Sequence, residues 1–175
     1  MTTRMLELGV GDNARKRDGY EYFSIDCVKT SATTHVCKAG FEPLPFLDNY
    51  FDFILGDQFL EHVPRFAQRW RAIHFPYDKN PNTLETFNPL IELLNEVCRV
   101  AKPNAEVQFN VPKWNSVEMQ QDPTHCNACP KEMWHYWHPN DQWNLKQSYG
   151  IKGSLELVKI QDCGWYEIHG LICRK

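Results

Sequence analysis

Leu6-Glu7-Leu8-Gly9-Val10-Gly11-Asp12-Asn13 is the stretch on which the fold turns. Its apolar start, Met5 to Leu8, reads as a short strand, and it runs straight into two glycines, which permit positive φ and close approach of another group to the backbone. A second strand is read at Tyr22 to Val28, so only about a dozen residues join the two. That is near the minimum for a parallel crossover and too few for an ordinary helix with two loops. A parallel pair here therefore has a crossover almost stripped of its helix.

Working outward, Thr34 to Cys37 reads as a weak third strand. Phe51 to Leu55 reads as a stronger fourth, entered through Leu47-Asp48-Asn49 and left at Gly56-Asp57. Leu90, Ile91, Leu93, Leu94, Val97, Val100 and Ala101 repeat at helical spacing, with Asn88 as N-cap, Pro89 in the first helical position and Pro103-Asn104 as a stop. Ala105 to Val111 is a fifth strand, and Ser154 to Gln161 with Gly164 to Cys173 form a terminal pair around a tight Asp162-Cys163-Gly164 turn. This alternation predicts an α/β fold, a mostly parallel sheet with an antiparallel C-terminal hairpin. Two stretches stand outside it: an insertion over 64–87, rich in Arg and aromatics, and a region over 112–149 that carries four of the six Trp and three of the seven His.

The 175 residues fit one domain spanning 1–175, and the 42% hydrophobic content is enough to fill its core. No run approaches the roughly 18 apolar residues of a membrane-spanning helix, and the mean hydropathy of -0.54 agrees with a soluble chain. Nineteen basic against 22 acidic residues give a net charge of -3, which supplies no overall basic field for nucleic acid. The seven cysteines are odd in number and follow no hydrophobic leader, so reduced thiols in a cytoplasmic setting are expected.

Ligands of an open parallel sheet bind beyond the carboxyl ends of its strands. The residues there are Glu7 to Asn13 after the first strand, Asp26 after the second, and Gly56 to His62 after the fourth. Asp26 lies 17 residues beyond Gly9, where a carboxylate can accept hydrogen bonds from both hydroxyls of a ribose. With no third glycine, and with Asn13-Ala14-Arg15 in its place, NAD and FAD are disfavoured.

These residues resemble the class I S-adenosylmethionine-dependent methyltransferases, in particular small members with a shortened first crossover. The matching pieces, in order, are Leu6 to Asn13, Gly19-Tyr20 leading to Ser24-Ile25-Asp26, Pro43 to Asp52, Leu60-Glu61-His62-Val63 and Glu96 to Asn104; Asp122-Pro123-Thr124-His125 and the terminal hairpin look similar too. The resemblance covers most of the chain outside the two decorations. It implies a Rossmann-like fold, S-adenosylmethionine (SAM) as cofactor, and direct in-line transfer of its methyl group to an acceptor that the sequence does not identify, whether small molecule, protein or nucleic acid.

By that resemblance, Glu7 orients the methionyl amino group, the backbone of Gly9, Val10 and Gly11 approaches the ligand, and Asp26 holds the ribose. Asn13, Cys27, Phe41, Asp57 and Gln58 complete the cofactor set. Ala39 stands where the group often has an acid for the adenine amino group, a departure that leaves adenine recognition open. A hydroxyl or ammonium acceptor needs a base, and His125, oriented by Asp122, is the first candidate, with His62 the second. The competing reading makes the Asp122 to His125 segment a loop staple and His62 a hydrogen-bonder at a helix start.

Cys126-x-x-Cys129 with His135 and His138 has the side chains of a zinc site, but five residues between the pairs fall short of the dozen or so usual in zinc modules, so no metal is expected. Trp134, Tyr136, Trp137 and Trp143 are read either as a cap over the reaction centre or as core filling. Arg65, Arg69 and Arg71 around Trp70 are read as a solvated patch or a phosphate contact. The reading opposed to an enzyme is a methyltransferase-like interaction module, weak or inactive in catalysis, using the 64–87 insertion as its contact surface. A nucleoside hydrolase or lyase on the same fold is a third.

Overall fold

The computed structural model describes residues 2–72, 82–140 and 145–175. A seven-stranded sheet runs through it. Its strands are β1 (Thr3–Leu8), β2 (Tyr20–Asp26), β3 (His35–Val36), β4 (Phe51–Asp57), β7 (Ala101–Pro112), β8 (Leu155–Asp162) and β9 (Tyr166–Cys173), in the spatial order β3-β2-β1-β4-β7-β9-β8. β1, β2, β3, β4 and β7 are parallel, and β9 pairs antiparallel with both β7 and β8. The mostly parallel sheet with a C-terminal hairpin is thus what the alternation predicts, and strand order reverses between β1 and β4, where a ligand crevice belongs.

Helix α1 (Pro89–Val100) sits between β4 and β7. The Asn88 side chain caps it by accepting from the Ile91 N–H at 3.1 Å, and Pro89 fills the first turn. Its stripe of Leu90, Leu93, Leu94 and Val97 packs against Leu6, Leu8, Ile25, Ile54 and Val107 of the sheet. β7 begins at Ala101, straight from the helix, rather than at Ala105. Pro103-Asn104 therefore sits inside the strand, where the pairing with β4 slips register and Asn104 takes φ 63°.

Trp134 and Trp137 lie in this same core. Trp134 stacks on Phe109 with ring centroids 5.7 Å apart and donates its indole N–H to His169 Nδ1 at 3.0 Å. Both rings therefore fill the core under the β7–β9 side of the sheet. Trp143 lies outside the described residues, as do His74, Phe75, Tyr77 and Lys79 and the side chains of Arg69, Trp70 and Arg71. Within the 64–87 insertion, β5 (Ala67–Ala72) and β6 (Asn82–Phe87) pair as an antiparallel ribbon apart from the main sheet. Its Arg65, an exposed residue, donates to Asn127 Oδ1 and the Ala128 carbonyl.

The opposite sheet face is thin. Met5, Phe53 and Leu55 form a small cluster, flanked by Tyr20 and Tyr22 and roofed by the Arg17 guanidinium 4.7 Å from the Phe53 ring centre. The crossovers from β1 through β4 contain no helix. The seven cysteines are free thiols. No helix among the described residues is long and apolar enough to cross a membrane.

Candidate functional site

A cleft of about 360 Å³ opens at the carboxyl ends of β1, β2 and β4, within the size range of small-ligand sites. Gly9, Gly11, Asp26, Cys27, Phe41 and Gln58 of the sequence-predicted cofactor set line it, together with His62. Glu7, Val10, Asn13, Asp57, His125 and Asp122 do not.

Strand alternation explains part of this division. Leu6 and Leu8 face α1, so Glu7 faces the thin side, fully buried. Its carboxylate accepts from the Arg15 backbone N–H at 2.8 Å, from Arg15 Nη1 at 3.2 Å and from the Tyr22 hydroxyl at 2.5 Å. Burial, with this contact to Glu7 behind it, pushes the Tyr22 hydroxyl's pKa well above its ordinary value. Arg15 also reaches Asp57 Oδ2 at 2.5 Å, and Asn110 donates to the other Asp57 oxygen. One guanidinium thus spans the ends of β1 and β4 where the first helix of a longer crossover would lie.

The glycine bend is internally bonded. The N–H groups of Gly9 and Val10 both donate to the Ile25 carbonyl, and the Gly11 N–H donates to Asp26 Oδ2 at 2.9 Å. Asp26 Oδ1 accepts from the Val28 N–H at 3.0 Å, which leaves each carboxylate oxygen further lone-pair capacity toward the cleft. Gly9 and Gly11 both take positive φ. A Cβ on Gly9 would lie 2.3 Å from the Phe59 ring, whereas one on Gly11 would meet nothing within 4 Å. Half the bend is therefore closed by Phe59 and half is open.

The outer wall comes from the β3–β4 connection, at Lys38, Ala39 and Phe41. Gly40, φ 83°, lets this segment lie on α1, since a Cβ there would stand 2.6 Å from the Pro89 carbonyl oxygen. Farther along, Arg99 of α1 donates to the Leu44 and Phe46 carbonyls and to Asp48, while Glu96 accepts from the Leu44 N–H. Helix α1 thereby fixes the wall.

Beyond β4, a single 3-10 turn over Leu60–His62 carries His62 to the cleft and turns Glu61 into the interior. The Cys126 and Asn127 N–H groups both donate to the Glu61 carbonyl, which straps the following loop to the turn and sets His125 beside His62, ring centres 4.8 Å apart. Asp122 lies 3.7 Å from His125 Nε2 and accepts two hydrogen bonds from Thr124, which hold its carboxyl below the usual range. Burial, then the neighbouring His125, depresses the His62 pKa. Neither oxygen of the fully buried Glu61 carboxylate has a partner among the described residues, and burial pushes its pKa up to about 7. In the sequence Glu61 stands out only as part of its Leu-Glu-His motif, since nothing in a one-turn segment signals which of its side chains is buried. The Cys126-x-x-Cys129 pair does not converge with His135 and His138: the Cys126 thiol reaches the Glu61 carbonyl and Cys129 bonds to Asn127.

No family model matches the chain, and no curated protein matches it. Solved structures do. A SAM-dependent methyltransferase from Archaeoglobus fulgidus superposes with TM-score 0.56 at 15% identity, covering 99% of this chain and 86% of that one. Another from Methanosarcina mazei gives TM-score 0.53 at 14% identity, covering 99% and 92%. The fold is that of the class I SAM-dependent methyltransferases. The YcgJ protein from Bacillus subtilis matches over 91% of this chain with TM-score 0.52 and 14% identity, and this chain spans 65% of its length. At such identities the methyltransferase fold is what is shared, and the chemistry has to be argued from this chain's own residues.

Proposed function

We propose that this chain is a SAM-dependent methyltransferase. The observation that carries the reading is Asp26, at the end of β2 on the cleft wall, its carboxylate pre-set by the Gly11 and Val28 N–H groups beside an open Gly11. The residues fit the cofactor: Asp26 holds the ribose hydroxyls, Gly11 admits the chain of the ligand by shape, and Lys38, Ala39 and Phe41 form the wall toward adenine. When bound, SAM supplies a sulfonium-activated methyl carbon open to direct in-line attack by the acceptor. The protein's part is alignment and exclusion of water. His62 faces the cleft with its pKa held down, so it is neutral at pH 7 and able to take a proton, with His125 and Asp122 behind it as positioning groups.

Calorimetric titration of the full chain with SAM and S-adenosylhomocysteine tests this. Micromolar binding is expected, weakened about 100-fold or more by Asp26→Ala, since two charge-assisted hydrogen bonds contribute on the order of 1.5 to 3 kcal/mol each. The locked Glu7 and the bonded N–H groups of the bend favour a second reading, the interaction module. No heat with either ligand would select it.

A further inference from the structure

We infer that Glu61, His62 and His125 form a binding site for one divalent transition-metal ion of the zinc or manganese type, at the edge of the cleft. Each residue offers a ligand atom, and these atoms all lie within 4.8 Å of one another. Ligands around a tetrahedral ion at about 2.0 to 2.1 Å stand roughly 3.4 Å apart, so side-chain rotations of about 1 Å close the set.

Two independent features point to an ion. First, Glu61 is fully buried and, among the described residues, both its carboxylate oxygens are unpartnered. A buried carboxylate without a partner is costly, and the Asp57 and Asp122 carboxylates nearby make the corner more anionic still. A cation there would meet Glu61 directly, Asp57 being already paired with Arg15. Second, both imidazoles are held in the tautomer that a metal requires. His125 Nδ1 lies 3.2 Å from the Met119 carbonyl, which can only accept, so Nδ1 carries a proton and in the neutral ring the lone pair is on Nε2, 3.7 Å from Asp122 Oδ2. Thr124 donates its hydroxyl proton to Asp122, so its oxygen accepts from His62 Nδ1 at 3.0 Å, and His62 Nε2 is likewise bare. Outer hydrogen bonds of this kind orient histidine ligands in metal sites.

Two imidazoles with a carboxylate suit zinc or manganese better than magnesium or calcium, which favour all-oxygen shells. The arrangement leaves a coordination position on the side where His62 meets the cleft, open to water or to an oxygen of the acceptor. With the ion in place His62 is a ligand and no longer the proton acceptor of the metal-free reading; an oxygen bound to the ion would lose its proton more readily on its own account, which takes over that role.

The test needs no SAM, so its failure leaves the cofactor reading standing. Chelator-stripped full chain is titrated calorimetrically with ZnCl2, MnCl2 and MgCl2, with thermal melts alongside. One equivalent of zinc or manganese is expected to bind at least tenfold more tightly than magnesium and to raise Tm. Glu61→Gln, which keeps the side-chain shape, and His125→Ala should each weaken binding tenfold or more, and Cys126→Ser with Cys129→Ser should leave it unchanged. Absence of a one-equivalent site overturns the assignment, as does binding that survives Glu61→Gln but is lost in the cysteine variant. Should an imidazole variant fail to fold, Co2+ spectra of the wild-type chain decide: bands of a nitrogen and oxygen site support the assignment, and thiolate charge-transfer bands overturn it.

Discussion

Two corners beside the cleft, at the ends of the neighbouring strands β1 and β4, treat buried carboxylates in opposite ways. At the β1 corner, Glu7 is buried and surrounded by donors: the Arg15 backbone, its guanidinium and the Tyr22 hydroxyl. At the β4 corner, Glu61 is equally buried and has none among the described residues. Both sites avoid water, yet only one is electrostatically complete. The difference teaches where the fold has used its own side chains in place of a missing helix and where it has left room for something that is not protein.

The largest expected effect comes from making the first corner resemble the second. Arg15→Met leaves Glu7 with fewer donors and Asp57 without its cation, and should cost about 2 to 3 kcal/mol in a denaturant titration, since removing one partner of a buried pair strands the other. A loss below half a kcal/mol would show that Tyr22 and the backbone satisfy Glu7 unaided.

A middle-sized effect separates the two glycines of the bend. Gly9→Ala must displace the Phe59 ring as well as hold a strained φ, and should cost about 2 kcal/mol; Gly11→Ala meets only the φ penalty of about 1 kcal/mol. Adding Phe59→Ala to Gly9→Ala should be clearly less than additive in thermal melts, because the clash is then gone. Strict additivity would mean that the ring does not close that half of the bend.

The smallest effect lies at the far end of the same strands, as a control. Asp52 bonds to Lys102 Nζ at 2.8 Å and to the Arg4 N–H at 2.9 Å, and although burial opposes it, these bonds hold its pKa below the usual value. A depressed folded-state pKa contributes stability above the unfolded-state value, and that stability is lost as pH falls through the folded-state value. Asp52→Asn should therefore be less stable than wild type by up to about 1 kcal/mol at pH 7, with the gap vanishing on strong acidification. A gap that persists at low pH would reassign the loss to packing.

Much of this was legible in the chain. Asn88, Pro89 and the apolar spacing placed α1, and the glycine bend with Asp26 placed the cleft, because caps, turns and strand ends depend on local chemistry. The ribbon of β5 and β6 was not legible, since its mixed charged and aromatic residues show no clean alternation. Pro103-Asn104 read as a stop because both break regular structure, yet a bulge accommodates them within β7. The lock on Glu7 follows from strand parity but needs Arg15, eight residues away in a loop without periodicity. The meeting of His62 with His125, 63 positions apart, is tertiary, and no local pattern encodes it.

Helix α1 has one more consequence. Pro89 bears on Gly40 at one end, and Arg99 grips the Leu44 to Asp48 segment at the other. Any contact on the exposed side of that cylinder that tilted it by a few degrees would swing the Lys38 to Phe41 rim with it. The helix is then a lever through which a surface event would widen or narrow the cleft at its outer wall from a distance.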